Sequence, residues 1–145
     1  MPDECELPDF NEYGFLPPGL HAACLGSFRR KFGFNSKRQE MIDYGLKTVC
    51  SDLAASRDIH RLYIGGGFVT EKRFPQVIDC YVLAAHLRDP LFWFIGQKSP
   101  VWLPSYKVKC ELAIQGAKGP GSESYWQDLF GHEDGIPKGI VVLTF

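Results

Sequence analysis

The chain lacks an excess of charge of either sign: 16 Lys and Arg stand against 17 Asp and Glu, for a formal net charge of -1. No bulk positive field exists, so a composition-driven grip on nucleic acid or on an anionic membrane is disfavoured. It also lacks a long hydrophobic run. The apolar stretch 90–95 falls far short of the ~20 residues of a membrane span. The opening Met1-Pro2-Asp3-Glu4-Cys5-Glu6 has neither the basic nor the apolar region of a secretory signal, and a cytoplasmic protein is expected. Cysteines are few and unpaired by spacing. Cys5, Cys24, Cys50, Cys80 and Cys110 form no Cys-x-x-Cys and no Cys/His pair at zinc spacing, so buried reduced thiols are expected. His21, His60, His86 and His132 are scattered and fit no HExxH or HxH frame. No Gly-Lys-Ser/Thr marks a Walker A loop, and no Gly-x-Ser-x-Gly marks a nucleophile elbow.

What is abundant is aromatic surface. Of 145 residues, 14% are Phe, Tyr or Trp, and hydrophobic residues reach 45%. That length suits one domain, and such a composition fills its core well. Phe28, Phe32, Tyr63, Phe92, Trp93, Phe94, Trp126 and Phe130 are the expected large core residues.

Residues 1–20 read as an acidic extended arm ending in Pro17-Pro18-Gly19, with Phe10, Tyr13, Phe15 and Leu16 to hold it against the domain. The spacing of Leu25, Phe28 and Phe32 predicts a helix over 21–32, with Gly33 as its C-cap. A longer helix is expected over 36–56, with Ser36 and Gln39 as a capping box and Ile42, Leu46, Val49, Cys50 and Leu53 as its apolar stripe. Arg29, Arg30, Lys31, Lys37 and Arg38 lie between and within these helices. They read as a solvated face or as a phosphate-facing patch. Strands are expected at 59–64, 76–83, 106–114 and 139–145, a helical or irregular piece at 89–95, a loop at 118–122 and a short helix at 123–130. This order predicts an α+β, mixed α/β domain: a mixed sheet of about four strands with helices on one side.

Residues 62–81 carry the most chemistry. A strand runs into Gly65-Gly66-Gly67, and a second strand carries Asp79 within an apolar run. Glycines at a strand exit let a backbone approach a phosphate, and a neighbouring acid can hold Mg²⁺ against it. The same residues also suit a tight turn beside a structural aspartate.

The flanking residues give this stretch a context. The segment Phe10-Asn11-Glu12-Tyr13-Gly14-Phe15-Leu16-Pro17-Pro18-Gly19-Leu20-His21, the core Gly66-Gly67-Phe68-Val69-Thr70-Glu71-Lys72 with Pro75-Gln76-Val77-Ile78-Asp79-Cys80, and the end Pro137-Lys138-Gly139-Ile140-Val141 occur in order along the chain. With these motifs the chain resembles a small, mostly bacterial nucleotidyltransferase-like family within the polymerase-beta-like superfamily. The resemblance implies a minimal nucleotidyltransferase fold. It implies Gly65, Gly66, Gly67 and Thr70 as nucleotide-binding residues, Asp79 and Glu111 as catalytic acids, and Asp79 as the Mg²⁺ ligand, with Glu71 as a further candidate. Lys109, on the open face of the strand that carries Glu111, is added as a nucleotide-binding residue from its place in the sequence.

The family's Asp-x-Asp pattern is broken here. Aligned on Pro75 and Ile78, its two acids fall on Val77 and Asp79. Positions i and i+2 of a strand share a face, so Val77, Asp79 and Tyr81 point together. A two-metal centre clamps ions about 3.5–4 Å apart with several carboxylates, and one aspartate does not supply them. An ammonium from Lys109 or Lys107 beside Asp79 would stand where a metal stood. The expectation is therefore a catalytically degenerate nucleotidyltransferase fold acting as a nucleotide- or protein-binding module, in a toxin–antitoxin or defence setting. The alternative is an active Mg²⁺-dependent enzyme moving NMP from an NTP to a protein, nucleic acid or small-molecule acceptor.

Overall fold

The computed structural model describes residues 6–86, 88–116 and 121–145. The acidic start at Asp3 and Glu4 and most of the 118–122 loop lie outside the described residues.

The chain is an α+β fold built on a five-stranded mixed sheet. In chain order the elements are β1 (Gly19–Cys24), α1 (Leu25–Phe32), α2 (Ser36–Glu40), a π-helix (Met41–Leu46), α3 (Lys47–Arg57), β2 (Arg61–Gly65), a 3₁₀ turn (Gly66–Val69), β3 (Ile78–Ala84), α4 (Leu91–Tyr106), β4 (Val108–Ile114), α5 (Glu123–Phe130), the two-residue strands β5 (His132–Glu133) and β6 (Ile136–Pro137), and β7 (Gly139–Thr144). The sheet order is β1-β7-β2-β3-β4. β1 runs parallel to β7, β7 and β3 run antiparallel to β2, and β4 runs parallel to β3.

Alternation along the strands divides the core. Leu62, Ile64, Cys80, Val82, Val108, Cys110, Val141 and Leu143 face one side, in the main cluster with Phe28, Phe32, Ile42, Leu46, Leu53, Phe94 and Trp102. Tyr63, Tyr81, Ala113 and Ile140 belong to a second cluster, where Phe130 and Trp126 of α5 pack. Helices thus cover both faces rather than the one expected, and α5 sits over the face that carries Asp79.

The fifth strand is β1. Residues 21–24 pair with β7 instead of starting the first helix. The Pro-Pro-Gly exit delivers the chain extended, and Cys24 ends the strand as N-cap of α1, trading bonds with Ser27 (Cys24 N to Ser27 Oγ 3.0 Å, Ser27 N to Cys24 Sγ 3.4 Å). The second helix starts one residue earlier than the capping-box reading. Asn35 Oδ1 accepts from the Arg38 amide at 2.9 Å, and Gln39 turns back to the Gly33 carbonyl at 2.8 Å. Its middle relaxes to a π-helix where Gly45 backs directly onto the Tyr106 carbonyl, a contact that leaves no room for a Cβ. The piece expected at 89–95 is a 16-residue helix continuing through Pro100 and Pro104. Among the predicted core aromatics, Phe28, Phe32, Tyr63, Phe94 and Phe130 are buried, whereas Trp93 is 66% exposed.

Candidate functional site

The site forms where β2 leaves the sheet. Gly65 is the register partner of Asp79 on β3, and Gly66 turns the chain with φ +69. A Cβ on Gly66 would lie 2.6 Å from Asp79 Oδ2. Both the left-handed backbone and the space therefore demand glycine there. A Cβ on Gly65 would meet the Phe130 side chain at 2.5 Å. The aromatic ring of α5 closes over that glycine.

Asp79 is half-buried and makes no hydrogen bond or ion pair with a described residue. Burial pushes its pKa above the usual carboxylate range, while the charges of Lys109 and Lys138 pull it back. Lys109 is its register partner on β4, and Glu111 is the partner of Tyr81 one step along. Lys138 arrives from the turn before β7. Its side chain is 2% exposed, with Nζ 3.2 Å from Glu133 Oε1 and 5.7 Å from the centre of the Phe15 ring. These groups line a pocket of about 340 Å³, roofed by Trp126, Leu129 and Phe130 of α5. Beneath the roof Tyr63 and Tyr81 stack at 4.7 Å, and Phe130 tilts onto Tyr81 at 5.5 Å. The buried Tyr81 hydroxyl has no hydrogen-bond partner among the described residues, and burial raises its pKa.

The pocket brings together Gly66, Asp79, Lys109 and Glu111 of the residues singled out from sequence. The others are placed elsewhere. Gly65 lies under Phe130, and Gly67 faces the aliphatic stem of Lys72. The Thr70 hydroxyl donates to the Gly67 carbonyl at 2.6 Å and accepts the Lys72 amide at 3.2 Å, so it is spent inside the loop. Glu71 packs on Gly14 and donates its amide to the Gly14 carbonyl. Val77 and Lys107 line a different groove. His21 bonds the Pro17 carbonyl at 2.5 Å. The sequence shows His132 and Glu133 as a small polar cluster before a turn and Lys138 in the C-terminal motif, but it assigns none of them, nor the roof of α5, to the site. One signal was available: Lys138 is a lone cation just before the wholly apolar Gly139-Ile140-Val141-Val142-Leu143.

These donors do not fit a two-Mg²⁺ centre. No group of three His, Cys, Asp or Glu residues is arranged for a metal among the described residues. Val77 supplies no carboxylate and lines a different groove, and the charges acting on Asp79 are ammonium groups. Two lysines beside a glycine turn can meet the oxygens of a bound anion; they share the pocket with the acids Asp79, Glu111 and Glu133, the last already paired with Lys138.

The basic run splits into distinct roles. Arg29 grips Asp43 with two bonds, Nε at 2.9 Å and Nη2 at 3.0 Å. Arg38 is fully buried. Its guanidinium donates to the carbonyls of Phe32 (3.1 Å), Phe68 (2.8 Å), Thr70 (3.0 Å) and Lys72 (2.9 Å from Nε) and lies between the rings of Phe34 and Phe68. Burial without a carboxylate lowers its pKa to about 10. Arg38 thereby fixes the loop that joins the glycine turn to β3. Among the described residues, no helix is long and apolar enough to cross a membrane.

A family model described as a family of unknown function, DUF6932, matches residues 8–144, and the chain belongs to that family. No curated protein and no solved structure matches the chain.

Proposed function

Proceeding from that membership and from the donors around Asp79, we propose that the chain is a catalytically silent module of the nucleotidyltransferase fold that binds the phosphate end of a nucleotide without Mg²⁺. The observation that carries this reading is the pairing of Asp79 with Lys109 in register, with the buried Lys138 ammonium acting on the same carboxylate. The antiparallel unit of strand, glycine turn and acid-bearing strand, followed by a parallel strand with Glu111, supports the fold resemblance. The lysines replace a cation that the acids alone cannot hold. An ammonium both neutralises a carboxylate and attracts phosphate oxygens. The roof of α5 leaves a space suited to a phosphate group, with base and sugar lying outside.

The test is incubation with labelled NTPs, Mg²⁺ or Mn²⁺ and a cell extract, beside an Asp79→Ala control. No label transfer is expected. Transfer that disappears in the control would establish the rival reading, an active enzyme that moves NMP onto an acceptor.

A further inference from the structure

A second concavity lies away from the Asp79 pocket, between the start of α2, the loop before β3 and the end of α4. It measures about 740 Å³, within the range of ligand-binding clefts. Phe74, Pro75, Leu103 and Pro104 form its apolar wall, and Lys37 and Lys107 stand on its rim. Phe74 is 64% and Leu103 39% exposed, and together they put apolar surface in contact with solvent at the groove. Among the described residues no acid lines the groove, and neither lysine forms an ion pair. Arg73 adds a third cation, its guanidinium 5.8 Å from the centre of the Phe74 ring.

The walls are held before any ligand arrives. Arg38 and Asn35 tie down the loop, the latter by a 2.8 Å bond to the Arg73 carbonyl. Lys107 sits in the left-handed region at φ 58, with its carbonyl accepting from Ile78 at 2.8 Å. That conformation is the left-handed cap of α4, with the Lys107 amide donating to the Leu103 carbonyl at 3.1 Å, and it fixes the far wall of the groove.

We propose that this groove docks a segment of a partner protein in which an apolar side chain is flanked by Asp or Glu. The apolar residue enters between Phe74 and Leu103, and its acidic neighbours meet Lys37 and Lys107. Charge complementarity selects the acids, and the concave shape favours an inserted side chain over a lipid surface. The site is separate from the Asp79 pocket and stands independently of nucleotide binding.

The test is selection of a random peptide library on the full chain, followed by fluorescence anisotropy with an enriched peptide. Enriched peptides should share an apolar residue beside Asp or Glu. Lys37→Glu/Lys107→Glu should weaken the enriched peptide at least tenfold, and so should Phe74→Ala, which keeps the lysines. Arg61→Glu, a charge reversal on β2, should leave its affinity unchanged. Enrichment without acids, no enrichment, or equal affinity in the groove variants would overturn the proposal. So would binding to phosphatidylserine vesicles that depends on Lys37 and Lys107 in the absence of peptide binding.

Discussion

Arg38 shows how much one side chain organises. Its guanidinium satisfies carbonyls from α1 and from the loop after the glycine turn, and among the described residues no acid shares the work. Arg38→Met would leave those buried carbonyls unpaired, at roughly 1–3 kcal/mol for each that water cannot reach. Urea unfolding should register a loss of at least about 3 kcal/mol, and Arg38→Lys should not restore it, because an ammonium lacks the planar fork. Asp79 has the opposite economy. Its pKa is raised by burial, so the folded chain holds this proton more tightly than the unfolded one. The resulting penalty is absent below the ordinary aspartate range, grows as pH climbs through it, and is complete above the raised folded-state pKa. Asp79→Asn should therefore be more stable than wild type at about pH 7, with the gap closing towards about pH 3. Asp43 and Asp89 work the other way. Their pKa values are lowered, by Arg29 and by the Ala85 and Leu91 amides respectively, and their stabilisation fades as pH falls from the ordinary aspartate range to below it. Measuring wild type and Asp79→Asn side by side separates the two trends. Gly66→Ala should cost about 1–3 kcal/mol for the left-handed backbone alone. Its clash with Asp79 adds to that, so the double variant with Asp79→Ala should recover part of the loss in a double-mutant cycle.

Among the elements, α5 decides what the glycine turn can do. Phe130 rests on Gly65 and on Tyr81, so the turn is roofed rather than open. Phe130→Ala should destabilise the fold by about 3–5 kcal/mol and change the fluorescence of Trp126, which lies 5.8 Å from that ring. Periodicity made α5 and β4 legible, because each buries a face that is regular in the sequence, and β7 was legible as an uninterrupted apolar run behind a turn. It did not reveal β1. That strand has little alternation of its own and is specified by its pairing with β7, a contact with no local trace. Pro100 and Pro104 concealed the length of α4, since proline ordinarily ends a helix. The roofing of the site was equally hidden. Glu123–Phe130 reads as a helix, but which sheet face it covers depends on tertiary packing. Asp79, Gly66, Lys109 and Glu111 could be found from a glycine turn followed by an acid-bearing strand. Lys138 carries only a weak trace, a lone cation before an apolar strand, and its pairing with Glu133 across a hairpin of two-residue strands has none.

At the scale of the molecule, near-neutral charge conceals two different surfaces. One is a small polar pocket where acids and lysines offset each other beneath α5. The other is an open apolar groove with cations and, among the described residues, no acid. The α+β class followed from the order of helical and strand patterns, and the sheet that realises it brings Asp79 and Lys109 side by side. That pairing is the centre of the functional reading, and calorimetric titration of ATP into the protein, once in EDTA and once with Mg²⁺, addresses it most directly. Saturable binding of similar affinity in both conditions, weakened at least tenfold by Lys109→Met/Lys138→Met, is the expected result. Binding that appears only with Mg²⁺ and is lost in Asp79→Ala, or no binding in either condition, would contradict a metal-free phosphate site.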